Sequence, residues 1–387
     1  MSGFFSVNAF EALAWVLCTW AVVRLLKTGD PRWWVAIGLA VGLGFESKHT
    51  TSTLVIALGA GILATPARRL LVSRWALFGG LLAAAIALPN VIWQLVNGFP
   101  SLEFYRQAAL MKNLPSPPLD TLIEQLRFMG ALTSLIYIAG LIFLSITPRG
   151  SRYRALAIAY IILLVLLVLS KQSRPDRLLG IYPVLIAAGF AWLGHFLRAP
   201  ALRAIVLIAV VAGCLPGMPI VIGVLAPAPL ARYTAWLGIR TSGERGKTSP
   251  IPQLLADRTG WEDFVAQVAQ IYEQLPTADQ AHTLIYAPSY GQAAAVDVLG
   301  RQYGLPRAIS GHNTYFHWSQ REGVNSDVLI AVGTSRERLQ ALFRDVQVVG
   351  TTSCVYCMSW RNGMPIYLAR GQVAPLSTRW SETRHYE

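Results

Sequence analysis

Within the stretch G-F-E-S-K-H-T-T-S-T, residues 44–53, a carboxylate (Glu46), an ammonium (Lys48) and an imidazole (His49) interrupt two apolar runs, 33–45 and 54–64. Together they can bind a phosphate through the cations, or a divalent metal through Glu46 and His49. Two ligands at that spacing do not complete a metal site, so the metal is the weaker choice. A second set lies in K-Q-S-R-P-D-R, residues 171–177, where Lys171, Arg174 and Arg177 precede a helix start at Tyr182-Pro183. Arginine suits bidentate contact with phosphate. Asp176 can pair with either arginine, and cations at span ends also snorkel to lipid headgroups. A structural alternative for the first set is one kinked helix over 33–64 in which Glu46 and Lys48 neutralise each other.

The elements that must position these groups follow from composition. Of 387 residues, 54% are hydrophobic and 14% charged, with a mean hydropathy of +0.45. That is outside the usual range of soluble domains and predicts an integral membrane protein. A helical span needs about 20 apolar residues, and such runs occur at 10–26, 75–96, 126–146, 155–170, 179–197 and 204–225. The expected architecture is a polytopic helical membrane domain over 1–225 followed by a soluble α/β domain over 226–387. Residues 1–225 hold 18 Lys and Arg against 7 Asp and Glu, while 226–387 hold 15 against 13. The basic excess therefore belongs to the membrane half and argues against nucleic acid as a partner.

Short basic loops mark the cytoplasmic face. Four stand out, at 27–32, 68–74, 149–154 and 198–203. All four lie on one side only if residues 35–64 enter and return as a helical hairpin, with E-S-K-H-T at its tip. Broken backbone at such depth is tolerated where it is buried or lines a wet cavity, and ionisable groups there are functional candidates. The same alternation places 97–125, the 171–177 loop and the C-terminal domain outside the cytoplasm, in a multi-pass protein of the plasma membrane. Residues 1–9 also fall outside, with no preceding signal. Tyr105, Arg106 and Lys112 in 97–125 belong either to an interfacial amphipathic segment or to a lid over a lipid-borne substrate.

In the soluble region, strands are predicted at 283–287, 328–332, 346–350 and 366–370, and helices at 261–274, 292–303 and 335–343. The turn from Ser289 to Gln292 sits between strand and helix, where anions often bind. The stretch S-G-H-N-T-Y-F-H-W gathers His312, Asn313, Tyr315, His317 and Trp318, a set suited either to sugar hydroxyls and ring faces or to loop packing. Cys18 and Cys214 fall in apolar spans and read as inert core residues. Cys354 and Cys357 form C-V-Y-C with no second ligand pair for zinc. No helix signal follows them, so a structural disulfide is expected in an oxidising compartment.

The ordered series G-L-A-V-G-L-G-F-E-S-K-H-T, T-P-A-R-R, L-P-N-V-I-W-Q-L-V-N-G-F-P-S-L-E-F-Y and K-Q-S-R-P-D-R-L-L-G-I-Y-P-V-L-I-A-A-G resembles the bacterial branch of the dolichyl-phosphate-mannose protein mannosyltransferases, glycosyltransferase family 39. The segments A-D-R-T-G-W-E-D, Y-G-Q-A-A-A-V-D, I-S-G-H-N-T-Y and G-T-T-S-C-V-Y-C resemble the tail of one subgroup. The resemblance implies a GT-C fold and transfer of a hexose from a polyprenyl-phosphate donor to an extracytoplasmic glycan, lipid or protein acceptor. It implies donor-phosphate roles for Lys48 and His49, with Glu46 an added acid, and for Arg174 and Arg177, flanked by Lys171. The family's catalytic Asp, in the loop after its first helix, has no counterpart here. The chain is thus expected to start three helices into the family pattern, with its catalytic residue unassigned. The competing expectation is a membrane-anchored module that binds a glycan or partner without catalysis. A transporter would show internal repeats, and none is seen.

Overall fold

A computed structural model describes residues 6–171, 174–239, 241 and 244–386. Of the 171–177 loop, Gln172 and Ser173 lie outside the described residues. The chain forms two compact units, Met1–Gly98 with Leu114–Val224, and Phe99–Asn113 with Leu225–Glu387.

The first unit consists of helices α1 (Val7–Thr28), α2 (Trp33–Ser47), α3 (Thr51–Leu63) and α4 (Arg74–Val96), then, after α5 (Pro100–Gln107) of the second unit, α6 (Pro118–Met129), α7 (Ala131–Ile146), α8 (Arg154–Leu169), α9 (Tyr182–Phe196) and α10 (Pro200–Cys214). Four of the described helices are long and apolar enough to cross a membrane: α1, α4, α8 with its preceding turn, and α10 extended to Ile222. The expected span at 126–146 is instead two helices meeting at 109°. Gly130 makes the corner with φ 76°, a conformation that a side chain disfavours. The expected span at 179–197 begins only at Tyr182 and is 15 residues long, short for a crossing.

Apolar side chains cover the outside of this unit. No residue of α10 is buried, and Leu77, Leu81, Ile205 and Ile208 are exposed. Helices apolar on their outer surface match hydrocarbon, and the chain is a membrane protein. With lipid outside, close backbone packing must hold the helices together. A Cβ on Gly38 of α2 would collide with the backbone at Gly79 of α4, and one on Gly140 of α7 with the backbone of α9 at Leu185.

These contacts also set direction. Gly38 meets Gly79 and Gly42 meets Ile86, so α2 and α4 run parallel. Tyr137 meets Tyr182 and Phe143 meets Trp192, so α7 and α9 do too. At one end, Arg152 donates to the Lys27 carbonyl (3.4 Å), the Trp34 indole to the Leu70 carbonyl (2.9 Å), and Arg32 lies 6.0 Å from the Trp75 ring. Three of the basic loops therefore meet there. The fourth follows, since α9 runs toward the same end as α7.

The second unit is built on a five-stranded sheet of order β2-β1-β3-β5-β4: β1 (Thr283–Tyr286), β2 (Ala308–Ile309), β3 (Val328–Val332), β4 (Phe343–Thr351) and β5 (Pro365–Gln372). β1 pairs in parallel with β2 and β3, while β5 is antiparallel to β3 and β4. Strand alternation fills two cores. Ile285, Ile330 and Ile366 pack against α11 (Trp261–Glu273) and α12 (Tyr290–Leu299), and Leu329, Phe343 and Tyr367 pack with Phe316 of α13 (Tyr315–Glu322) and Trp380. The helix expected at 335–343 is confined to Arg336–Gln340 because Phe343 already begins β4.

The segment Phe99–Asn113 folds with this unit, although a cut at residue 225 assigns it to the other. Arg245 N–H donates to the Lys112 carbonyl (2.8 Å), and Glu244 pairs with Lys112 (3.5 Å) and Lys247 (3.0 Å). Arg384 pairs with Glu103 at 2.8 Å.

Candidate functional site

The chain between 33 and 64 is two helices and not one, because Lys48 is extended (φ −164°, ψ 130°) and stops α2. That extension sends the ammonium back toward the start of α1. It donates to Asn8 Oδ1 and Glu11 Oε2, both at 2.9 Å, and the Thr50 hydroxyl donates to the same Glu11 carboxylate. Asn8 and Glu11 share a helix face because they are three residues apart. In the loop between α8 and α9, Arg174 forks onto both oxygens of Asp176, at 3.1 and 3.2 Å. Burial alone would raise the Asp176 carboxyl; Arg174, and after it Lys48, outweigh burial and hold it below the usual carboxylate value. Asn8, Glu11, Trp15, Lys48, Asp176 and Arg177 line one partly open cavity.

The site thus joins Lys48 from the hairpin tip with Arg177 from the 171–177 loop, and adds Glu11. Nothing in the sequence reading assigned Glu11, although an acid a turn into an apolar span is itself a signal. The Glu46–Lys48 neutralisation is not what forms. Glu46 is exposed, its carboxylate makes no hydrogen bond or ion pair among the described residues, and Lys48 takes Glu11 instead. Residues two apart do not share a helix face. His49 hydrogen-bonds to Asn90 of α4 (2.8 Å) and packs on Phe45, outside the lining of the cavity. Asn90 lies six residues before the end of α4, so the tip sits about 9 Å short of that end. Lys171, exposed and at φ 51°, accepts from Ser116 N–H through its carbonyl (2.9 Å). Among the described residues no cluster of three or more His, Cys, Asp or Glu has a geometry for metal. Tyr105 and Arg106 are on α5 and belong to the second unit.

In the second unit, Cys354 and Cys357, the pair expected to form a disulfide, are both present as thiols. The Cys357 thiol instead reaches the Cys354 carbonyl, at 3.6 Å. Cys214 is exposed on α10, whereas Cys18 is a core residue as expected. The S-G-H-N-T-Y-F-H-W stretch is occupied by internal packing. His312 is buried and stacked 4.6 Å from His385, Asn313 N–H donates to the His385 carbonyl, the Tyr315 hydroxyl meets Asp297, and His317 meets the Tyr386 hydroxyl. Trp318 remains exposed. The start of α12 is capped from within, by Ser289 on Gln292 N–H and His312 on Tyr290 N–H.

Arg361, which the sequence did not single out, is buried at 6% exposure. Its guanidinium donates to the carbonyls of Ala256 and Thr259 and lies 4.2 Å from the Trp261 ring centroid.

The family model described as dolichyl-phosphate-mannose-protein mannosyltransferase matches residues 1–93. No curated protein and no solved structure matches the chain. The matched segment contains Asn8, Glu11, Lys48, His49 and Asn90, and stops before Arg174 and Arg177.

Proposed function

We propose that the chain is a membrane glycosyltransferase that takes a hexose from a polyprenyl-phosphate carrier and delivers it to an acceptor outside the cytoplasm. The observation that carries this reading is the cavity in which Lys48 and Arg177, more than 120 residues apart in sequence, flank one space beside Glu11 and Asp176. Counting Arg174, three cations stand against two carboxylates. The net single positive charge suits a phosphodiester monoanion, the charge state of a polyprenyl-phosphate sugar. When the sugar leaves, the carrier phosphate gains a second negative charge, and preorganised cations stabilise that developing charge best. Glu11 and Thr50 position Lys48, and Asp176 positions Arg174. The charged lining addresses the phosphate headgroup alone. The remaining lipid would lie along the apolar helix surfaces. The basic loops gathered at one end support placing that end in the cytoplasm, with the hairpin tip toward the other face.

The reading is tested with full-length protein in detergent, using undecaprenyl phosphate and undecaprenol as paired probes in native mass spectrometry. The phosphate should bind and the alcohol should not, and Lys48→Ala and Arg177→Ala should each remove the preference while leaving membrane abundance unchanged. Equal binding of both probes, or variants that keep the preference, would refute it.

A further inference from the structure

A second cavity, within the second unit, is lined by Gly260, Trp261, Gln292, Cys354, Cys357 and Arg361. Three features converge on its sulfur atoms. First, Cys354 is half-buried and Cys357 buried, and the Cys357 thiol is hydrogen-bonded to Cys354, so one sulfur is reachable and the other sits behind it. Second, Cys354 Sγ lies against Gly260, the residue that caps α11; a Cβ there would clash with it. The first-turn N–H groups of a helix have no intrahelical partner and favour negative charge beside them. Third, Arg361 is nine-tenths buried and its Nε–H has no hydrogen-bond partner among the described residues. Cys357 and Cys354 are among the groups whose charge it feels.

The loop is held rigidly in this position. Gln267 accepts from Ser353 N–H (2.9 Å), Asn362 from Cys354 N–H (3.0 Å), and the Thr352 hydroxyl donates to the Arg361 carbonyl (2.8 Å). A metal is not the natural occupant, because no third His, Cys, Asp or Glu ligand accompanies the thiols among the described residues.

We propose that Cys354 and Cys357 form a thiol–disulfide exchange centre, with Cys354 as the attacking sulfur and Cys357 as the resolving one, and a small-molecule disulfide as co-reactant. This inference is independent of sugar transfer. Cys354 thiolate attacks one sulfur of the external disulfide; that S–S bond breaks, the departing thiolate takes a proton, and a mixed disulfide forms on Cys354. Cys357 then gives up its proton and attacks Cys354 Sγ, expelling the second small thiol. The protein dithiol is oxidised by two electrons and the external disulfide is reduced to two thiols. Arg361 and the start of α11 face the negative charge on sulfur during both attacks. Burial pushes the Cys357 thiol up to about 12, which keeps it protonated until the mixed disulfide draws it in. The sequence argument against redox chemistry, that no helix follows C-V-Y-C, overlooks that α11 supplies the helix start from elsewhere in the chain.

The experiment uses the reduced full-length chain in detergent, exposed to glutathione disulfide and then to reduced glutathione, with cysteine peptides read by mass. The Cys354–Cys357 disulfide should form and then be reversed. Cys357→Ser should retain glutathione on Cys354, whereas Cys354→Ser should retain far less on Cys357. Arg361→Gln should slow capture at Cys354 roughly tenfold, with partial recovery in Arg361→Lys. A disulfide that resists reduced glutathione is a structural cross-link and overturns the proposal. So does a pair that never oxidises, or equal capture by the two cysteines in the serine variants.

Discussion

The two units treat positive charge in opposite ways. In the membrane unit Lys48 and Arg174 each hold a carboxylate, Glu11 at 2.9 Å and Asp176 at 3.1 Å, at the edge of an open cavity. In the second unit Arg361 is held by two carbonyls and a tryptophan ring. A cation paired with a carboxylate can exchange that partner for another anion, because one charged acceptor replaces another. A guanidinium fixed on backbone carbonyls cannot move without leaving them unsatisfied. The first arrangement suits ligand exchange, and the second suits a fixed field.

The strongest way to sharpen this contrast is Lys48→Ala. If the cation stabilises the leaving phosphate, transfer from a polyprenyl-phosphate sugar in membranes should fall about 100-fold, the loss that follows removal of one charge-stabilising contact of about 2.7 kcal/mol. Folded protein should be unchanged by quantitative blotting, and a drop in abundance matching the drop in activity would erase the distinction. Arg361→Met should behave in reverse. Leaving the Ala256 and Thr259 carbonyls unpaired and losing the ring contact should destabilise the second unit by about 3 kcal/mol. Hydrogen exchange across β3 and β5 in the full chain measures this, and unchanged protection would show that Arg361 does not hold the fold.

A smaller effect is expected from pH at the tie between Phe99–Asn113 and the rest of the second unit. Burial raises the Glu244 carboxyl, but Lys112 and Lys247 outweigh it and leave the value depressed. A depressed carboxylate stabilises the folded state above its unfolded value and loses that contribution as pH falls through the folded one. Proteolysis within 99–113 should therefore increase below the ordinary Glu range, by an opening worth about 1 kcal/mol. Glu244→Gln should flatten the profile, and an unaltered profile in that variant would assign the effect to another group. The smallest effect is expected from Glu46→Gln, within about 0.5 kcal/mol of the parent in thermal unfolding. A large loss there would return Glu46 to the site.

Much of this arrangement was legible because it follows from periodicity and charge. The apolar runs, the hairpin break at Lys48 and strands β1, β3 and β5 all leave local marks. What escaped depended on direction or distance. Glu46 and Lys48 look like neighbours in a list of residues, yet Glu46 is in the last turn of α2 and Lys48 is extended beyond it, so they diverge. Glu11 is separated from Lys48 by 37 positions, and only the antiparallel packing of α1 on α2 brings them together. Gly130 reads as one glycine among apolar residues, and its positive φ is set by the corner into which α7 packs. Arg361 gave no sequence signal, since its partners are backbone carbonyls that any residue carries.

The discontinuous origin of the second unit has a consequence for biosynthesis. Lys112 and its partner Glu244 are about 130 residues apart. At about 5–20 residues per second, roughly 7–26 s elapse between their emergence from the ribosome. During that interval 99–113 has no fold to join, while α6 to α10 are synthesised and inserted. Glu103 waits longer still, for Arg384 near the end of the chain. The exposed Leu102, Leu110 and Met111 make this segment a ready client for a chaperone or a protease in the meantime. Completion of the second unit is therefore a late, non-local closure, and translation rate becomes one of the quantities that set the yield of folded protein.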